Sequence, residues 1–229
     1  MLKIGIIGAG HIGGTLTRRL ADLGHDVFVA NSRGPASLAE LAAETGATAV
    51  DVEEAARAGR LVIVTIPEGR VRDLPKDLFR DAQEDLVVVD TGNYYPERDG
   101  TIAEIEAGLP ESRWVGLQLG HDVVKAFNSM HAEHLLKLGR PAGSIDRLAI
   151  PIAGDDGSDK RLVLRLVDEL GFDGVDAGSI DESWRQQPGT PVYGADLDAN
   201  GVRRALAEAV NARGPRRGHD VQSRRAASG

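Results

Sequence analysis

The chain has 229 residues, 41% of them hydrophobic and 27% charged, with no cysteine and a net charge of −8. A chain of this length can bury a sizeable core unaided, and the missing cysteine excludes a disulfide framework, a thiolate metal centre and a cysteine nucleophile. The acidic balance argues against a nucleic-acid partner, and no apolar run reaches the ~20 residues of a membrane span, so a cytoplasmic enzyme or binding protein is the expectation.

In chain order, an apolar run at 3–7 predicts a first core strand rather than a signal peptide, and helical periodicity follows over 12–23. Next come a strand at 26–31, a helix at 36–44, a weaker strand at 48–50 and a helix at 52–58. Strands at 61–66 and 86–91 flank a stretch, 70–81, that Pro75 breaks. A helix at 102–107, a strand at 123–127, a helix at 132–138, a strand at 148–153, a helix at 159–170 and a weak strand at 174–176 complete the series. The stronger strands are apolar nearly throughout, as strands covered on both faces are. Gly24 and Gly46 stand just past helix ends, where a left-handed residue is wanted. Asp155, Asp156 and Ser158 supply the start of the 159–170 helix and Gly171 its stop. This alternation predicts an α/β fold with a doubly wound, mostly parallel sheet. The expected organisation is a nucleotide-binding domain over 1–127, a small α/β extension over 128–212, and a disordered basic tail over 213–229. That tail holds five arginines against Asp220 alone, and without it the body carries 22 basic and 34 acidic residues.

Directly after the first strand the chain reads Gly8-Ala9-Gly10-His11-Ile12-Gly13. A G-x-G-x-x-G pattern means little alone, but here a strand precedes it and an amphipathic helix follows. Gly8 permits the tight turn, Gly10 lets the backbone approach a pyrophosphate, and Gly13 allows close helix–strand packing. The helix N-terminus then offers free N–H groups to the anion.

The end of the second strand selects the dinucleotide. A carboxylate there would accept from a ribose 2′-hydroxyl, whereas this chain reads Asn31-Ser32-Arg33. Arg33 suits a 2′-phosphate, with Asn31 and Ser32 as neutral donors, so NADP(H) is the expected cofactor. One charge-assisted hydrogen bond of about 1.5–3 kcal/mol gives a tenfold to hundredfold preference. Later strand exits should border the same crevice, at Thr65-Ile66-Pro67 and at Thr91-Gly92-Asn93 beside the ribose and nicotinamide. A third exit carries Lys125 and Asn128.

These segments, with Pro151-Ile152-Ala153-Gly154-Asp155-Asp156, resemble the F-420-dependent NADP oxidoreductase family over roughly residues 2–195. The resemblance implies a Rossmann domain with a small C-terminal extension, often a homodimer, and hydride exchange between NADPH and a deazaflavin (F-420) or flavin acceptor. The chain departs from that family at Asn128-Ser129-Met130-His131 and at 181–194, so the cofactor half of the likeness is the fuller one.

Hydride transfer between stacked rings asks the protein mainly to orient and shield. Ile66, Pro67, Met130 and Trp184 are candidates for the stacking floor. Asn128 or Ser129 could donate to the acceptor's carbonyl. Lys125 reads equally as a stabiliser of developing negative charge or as an ion-paired residue at a strand end. His131 and His134 lack a third ligand, so no metal site is expected. Two alternatives stay open: a β-hydroxyacid dehydrogenase or imine reductase-like enzyme, whose resemblance implies a Lys-x-x-x-Asn pair where this chain sets Lys125 and Asn128 three apart, and a non-catalytic NADP(H) sensor.

Overall fold

The computed structural model describes residues 1–213. The predicted alternation appears as β1 (Lys3–Ile7), α1 (His11–Asp22), β2 (Asp26–Ala30), a 3₁₀ turn (Pro35–Leu38), α2 (Ala39–Thr45), β3 (Thr48–Ala49) and α3 (Val52–Ala56). There follow β4 (Leu61–Val64), α4 (Glu68–Val71), β5 (Val87–Asp90), α5 (Pro96–Asp99), α6 (Ala103–Glu106), α7 (Glu111–Leu119) and β6 (Val123–Lys125). The chain continues as α8 (Ala132–Lys137), β7 (Ala149–Ile152), α9 (Gly157–Glu169), β8 (Asp173–Asp176), a 3₁₀ segment (Ile180–Gln186) and α10 (Ala199–Glu208).

The first six strands form one parallel sheet in the order β3-β2-β1-β4-β5-β6. This is the order of a Rossmann-type doubly wound sheet, whose strand order reverses beside β1. Side chains alternate across each strand. Ile4, Ile6, Leu61, Ile63, Val87 and Val89 therefore enter one core, while Ile7, Val62, Val64 and Val88 enter the other. That two-sided burial explains why these strands read as unbroken apolar runs.

After β6 the chain builds a second parallel pair, β7 with β8, crossed by α9. An antiparallel bridge between Lys125 and Ala153 joins this pair to the main sheet. Asp156 caps α9 by accepting from the Ser158 and Asp159 amides. α10 covers the pair through Val202, Ala205 and Leu206.

The structure adds helices that the sequence pattern does not announce, the short α4 and α5 and the longer α7 and α10. The buried face of α7 includes Glu111 and Ser112, and Gly116 interrupts it, so no polar–apolar stripe marks it. α10 falls where the chain reads as polar, yet Asp198 caps it and Val202, Ala205 and Leu206 share one face. The basic tail reads as beginning at 213, but Arg213 is packed against the body; 214–229 lie outside the described residues. No helix among the described residues is long and apolar enough to cross a membrane.

Candidate active site

The carboxyl ends of β1, β2, β4, β5 and β6 share one edge of the sheet, where ligands of such folds sit. At β1, Gly8 takes φ +110, a left-handed conformation that favours glycine. A Cβ on Gly13 would stand 1.9 Å from the Gly8 carbonyl oxygen, so α1 can press against the turn only without a side chain there. A Cβ on Gly10 would meet nothing within 4 Å. The turn is thus closed on its protein side and open at Gly10. α1 begins there with no side-chain cap and no acid in its first turn, leaving its first N–H groups to an anion. Ala9 and Ile12 are half-buried, and His11 is exposed.

The corner after β2 is built by Asn31. Its Oδ1 accepts from the Arg33 amide at 2.8 Å, and its Nδ2 donates to Ser37 Oγ at 2.9 Å. Asn31 therefore shapes the turn with its oxygen and one amide hydrogen, and its second amide hydrogen has no partner among the described residues. Ser32 and Arg33 are exposed, and the Arg33 guanidinium makes no hydrogen bond or ion pair with any described residue. It lines a cleft of about 670 Å³ with Gly10, His11, Arg18 and Ser37. Ser37, which no sequence motif marks as a site residue, enters through that cleft.

At the next exits the hydroxyls are committed to backbone. Thr65 Oγ1 donates to the Gly8 carbonyl at 2.6 Å, tying β4 to the glycine turn, and Thr91 Oγ1 donates to the Val64 carbonyl at 3.2 Å. Ile66 is half-buried and Pro67 exposed, which leaves them as surface for a ring to lie on. The Gly92 amide donates to Asp90 Oδ1 at 2.8 Å. Asn93 interlocks with Asn128: each amide donates to the other residue, both at 3.0 Å.

Lys125 and Asn128 require correction as catalytic candidates. Lys125 is completely buried; its ammonium lies 3.0 Å from Asp90 Oδ2, 2.6 Å from the Gly92 carbonyl and 3.9 Å from Glu68 Oε1. Burial opposes its charge, but the Asp90 and Glu68 carboxyls outweigh that and hold its pKa above the usual lysine value. It is the ion-paired strand-end residue, fixing the Gly92 turn from below. Asn128 donates to Asn93 Oδ1 and to the Gln186 carbonyl and accepts from Gln186 Nε2. Its amide has no hydrogen left for an acceptor. Phe127, just before it, is fully buried at φ +64, a strained backbone that the surrounding packing enforces and that aims Asn128 at Asn93.

Glu68 and Glu111, unforeseen from the sequence, complete the buried cluster. Both carboxyl oxygens of Glu68 are buried without a hydrogen-bond partner, and burial, with Asp90 adding to it, pushes its pKa well up. Glu111 is also raised by burial, and accepts from the Tyr94 amide at 3.2 Å and from Arg213 at 2.9 Å. Two aromatic residues, equally unmarked in the sequence, frame the outer side: Tyr95 and Tyr193 meet hydroxyl to hydroxyl. Met130 is buried in the core beside the β6 exit, and Trp184 lies under the Arg185 guanidinium, 4.6 Å from it. Among the described residues no group of three or more metal-ligating side chains comes together.

Residues 3–94 match the profile of the family described as NADP oxidoreductase, coenzyme F420-dependent. The Escherichia coli protein YjhV is 48% identical over 66 residues, so the match spans 29% of this chain and about half (48%) of that relative. The crystal structure of SMa0349 from Sinorhizobium meliloti aligns at TM-score 0.72 and 28% identity, covering 86% of this chain and 95% of that one. A candidate F420-dependent NADP-reductase from Arthrobacter sp. FB24 aligns at TM-score 0.64 and 24% identity, over 79% and 86% of the two chains. An imine reductase from Pseudomonas sp. shares the fold at TM-score 0.55 and 20% identity, over 77% of this chain and 55% of that one. Residues 3–94, which hold the glycine turn, the Asn-Ser-Arg corner and the exits of β4 and β5, are thus the part of this chain that is similar to the F-420-dependent NADP oxidoreductases.

Proposed function

We propose that the protein is an NADPH-dependent oxidoreductase that exchanges hydride with a planar, conjugated acceptor of the F-420 or flavin type. The observation that carries the reading is the pairing of an open Gly10 turn with an Arg33 guanidinium that has no partner among the described residues, in one cleft. Gly8, Gly10 and Gly13 with the α1 N-terminus would hold the pyrophosphate. Arg33 and Ser32, on a corner stiffened by Asn31, would hold the 2′-phosphate. The half-buried faces of Ile66, Gly92 and Asn93 would border the nicotinamide. The reduced nicotinamide supplies the hydride, and the chain's own residues bind, orient and screen it.

The hydroxyacid-dehydrogenase or imine-reductase alternative needs Lys125 or Asn128 at the substrate. The Asp90, Glu68 and Gly92 contacts of Lys125 and the closed amide pairing of Asn128 speak against it. A pure NADP(H) sensor is the remaining alternative. Mixing the protein and NADPH with oxidised F-420, FMN, ferric chelates and quinones, and following NADPH oxidation, tests the proposal. Reduction of F-420 or FMN is the expected result. Tight NADPH binding with no acceptor reduced would favour the sensor.

A further inference from the structure

The Tyr95–Tyr193 contact links two segments distant in sequence at the carboxyl edge of the sheet. Tyr95 lies five residues beyond the end of β5, on the turn whose Asn93 interlocks with Asn128 at the β6 exit. Tyr193 arrives on the turn after the 3₁₀ segment, and the next residue, Gly194, donates its amide to the Ser129 carbonyl at 2.8 Å. Both phenol rings are half-buried. The Arg98 guanidinium lies 5.0 Å above the Tyr95 ring and donates to the Asn93 carbonyl, which steadies that ring over the turn.

Two hydroxyls in contact hold two protons and use only one between them. Either hydroxyl can be the donor in this contact, and burial, together with the Tyr95 contact, raises the Tyr193 pKa. In the arrangement where Tyr193 donates, the Tyr95 proton is the one left over, polarised by the bond its oxygen accepts. Lys125 and Asn128 are both closed off, and no other phenol stands at this edge with its hydroxyl free among the described residues, since Tyr94 is buried and gives its oxygen to the Ile102 amide.

Resting on the acceptor reading above, we infer that Tyr95, backed by Tyr193, is the hydrogen-bond and proton donor to the carbonyl or ring nitrogen of the planar acceptor. The balance is complete. The reduced nicotinamide is oxidised by two electrons as its hydride bonds to an electrophilic ring carbon. The conjugated π pair moves to the ring nitrogen or oxygen, which takes the Tyr95 proton. Tyr193 returns a proton to Tyr95 along the existing hydrogen bond and recovers one from water.

The test uses the full chain with saturating NADP⁺ and oxidised F-420 as the probe, binding being read from the coenzyme's own fluorescence. Y95F should weaken F-420 binding at least tenfold and slow single-turnover NADPH oxidation at least tenfold, with NADP⁺ affinity within twofold of wild type. Y193F removes the contact but leaves the Tyr95 hydroxyl, and should stay within threefold on F-420 binding. Wild-type turnover in D₂O should slow by about twofold or more if a proton moves in the rate-determining step. Unchanged F-420 binding in Y95F, or equal losses in both variants with lowered melting temperatures, would overturn the inference and leave the acceptor reading standing. Failure of the wild-type protein to bind F-420 at all would overturn both.

Discussion

Lys125 and Asp90 sit directly opposite each other in the β5–β6 ladder, and their charged groups meet 3.0 Å apart with both side chains out of water. Removing one partner of such a pair leaves an uncompensated buried charge and typically costs about 3–5 kcal/mol. We expect Lys125→Met to destabilise the fold by that amount in urea denaturation, and Lys125→Met with Asp90→Asn to recover part of it. A catalytic lysine would behave differently, leaving stability near wild type while abolishing turnover.

The glycine turn makes two kinds of demand that one substitution at each position separates. A Cβ at Gly13 collides with the Gly8 backbone, whereas one at Gly10 points into open space. Gly13→Ala should therefore lower the melting temperature, because α1 must move away from the turn. Gly10→Ala should melt like wild type and yet lose NADPH affinity at least tenfold in calorimetry, since its methyl group occupies the space a pyrophosphate needs. Equal NADPH affinity for Gly10→Ala and wild type would remove the phosphate role of the turn.

Arg33 carries the choice between the two dinucleotides. Its guanidinium has no partner among the described residues to lose, so Arg33→Ala should not change stability. One charge-assisted hydrogen bond is worth about 1.5–3 kcal/mol, hence at least a tenfold rise in the NADPH dissociation constant. NADH binding should barely change. A loss shared equally by NADPH and NADH would mean that Arg33 contacts something other than the 2′-phosphate.

How much of the fold and site is legible in the sequence follows from how local each signal is. The strands of the main sheet are legible because two-sided burial leaves an apolar run. The glycine turn is legible because its constraint is steric and lies within six residues. Asn31 and Thr65 stand at the corners their sequence positions indicate, and both also bond to protein there. Which lone pair or proton a side chain uses depends on partners such as Ser37 and the Gly8 carbonyl, and the motif does not carry that information. Glu68 and Glu111 are invisible in the sequence because buried acids have the same local pattern as exposed ones until Lys125 and Arg213 come from far along the chain. The Tyr95–Tyr193 pair spans |i−j| = 98, beyond any local pattern.

Glu68 gives the fold a pH dependence of definite sign. Its carboxyl is raised well above the ordinary range, chiefly by burial, and neither oxygen has a hydrogen-bond partner. A group with a higher pKa folded than unfolded takes up a proton on folding, so stability falls as pH rises from the ordinary carboxylate range through the elevated one. Glu68→Gln, which is neutral at every pH, should flatten that fall and raise the melting temperature near neutral pH. The expected rise is about 2–4 °C for each kcal/mol recovered. Parallel stability–pH curves for Glu68→Gln and wild type would show that Glu68 is ionised in the fold.

Arg213 clasps the same cluster from the far end of the described chain. It donates to the buried Glu111 at 2.9 Å and stacks 5.1 Å over the Tyr94 ring, although composition alone puts it in a solvated tail. Ending the chain at 212, or Arg213→Ala, leaves the Glu111 carboxylate buried without its cation. Arg213 is 29% exposed, so water screens part of the pair and the loss should fall below the about 3–5 kcal/mol of a fully buried one. Glu111 can instead take a proton, because burial already raises its pKa. The penalty in Arg213→Ala should therefore be larger at pH 8 than at pH 5, where protonation removes the unpaired charge. Ending the chain at 213 keeps the clasp and should leave that pH dependence as in the full chain. A penalty that does not change with pH would mean that Arg213 acts through its stacking on Tyr94 and not through the carboxylate.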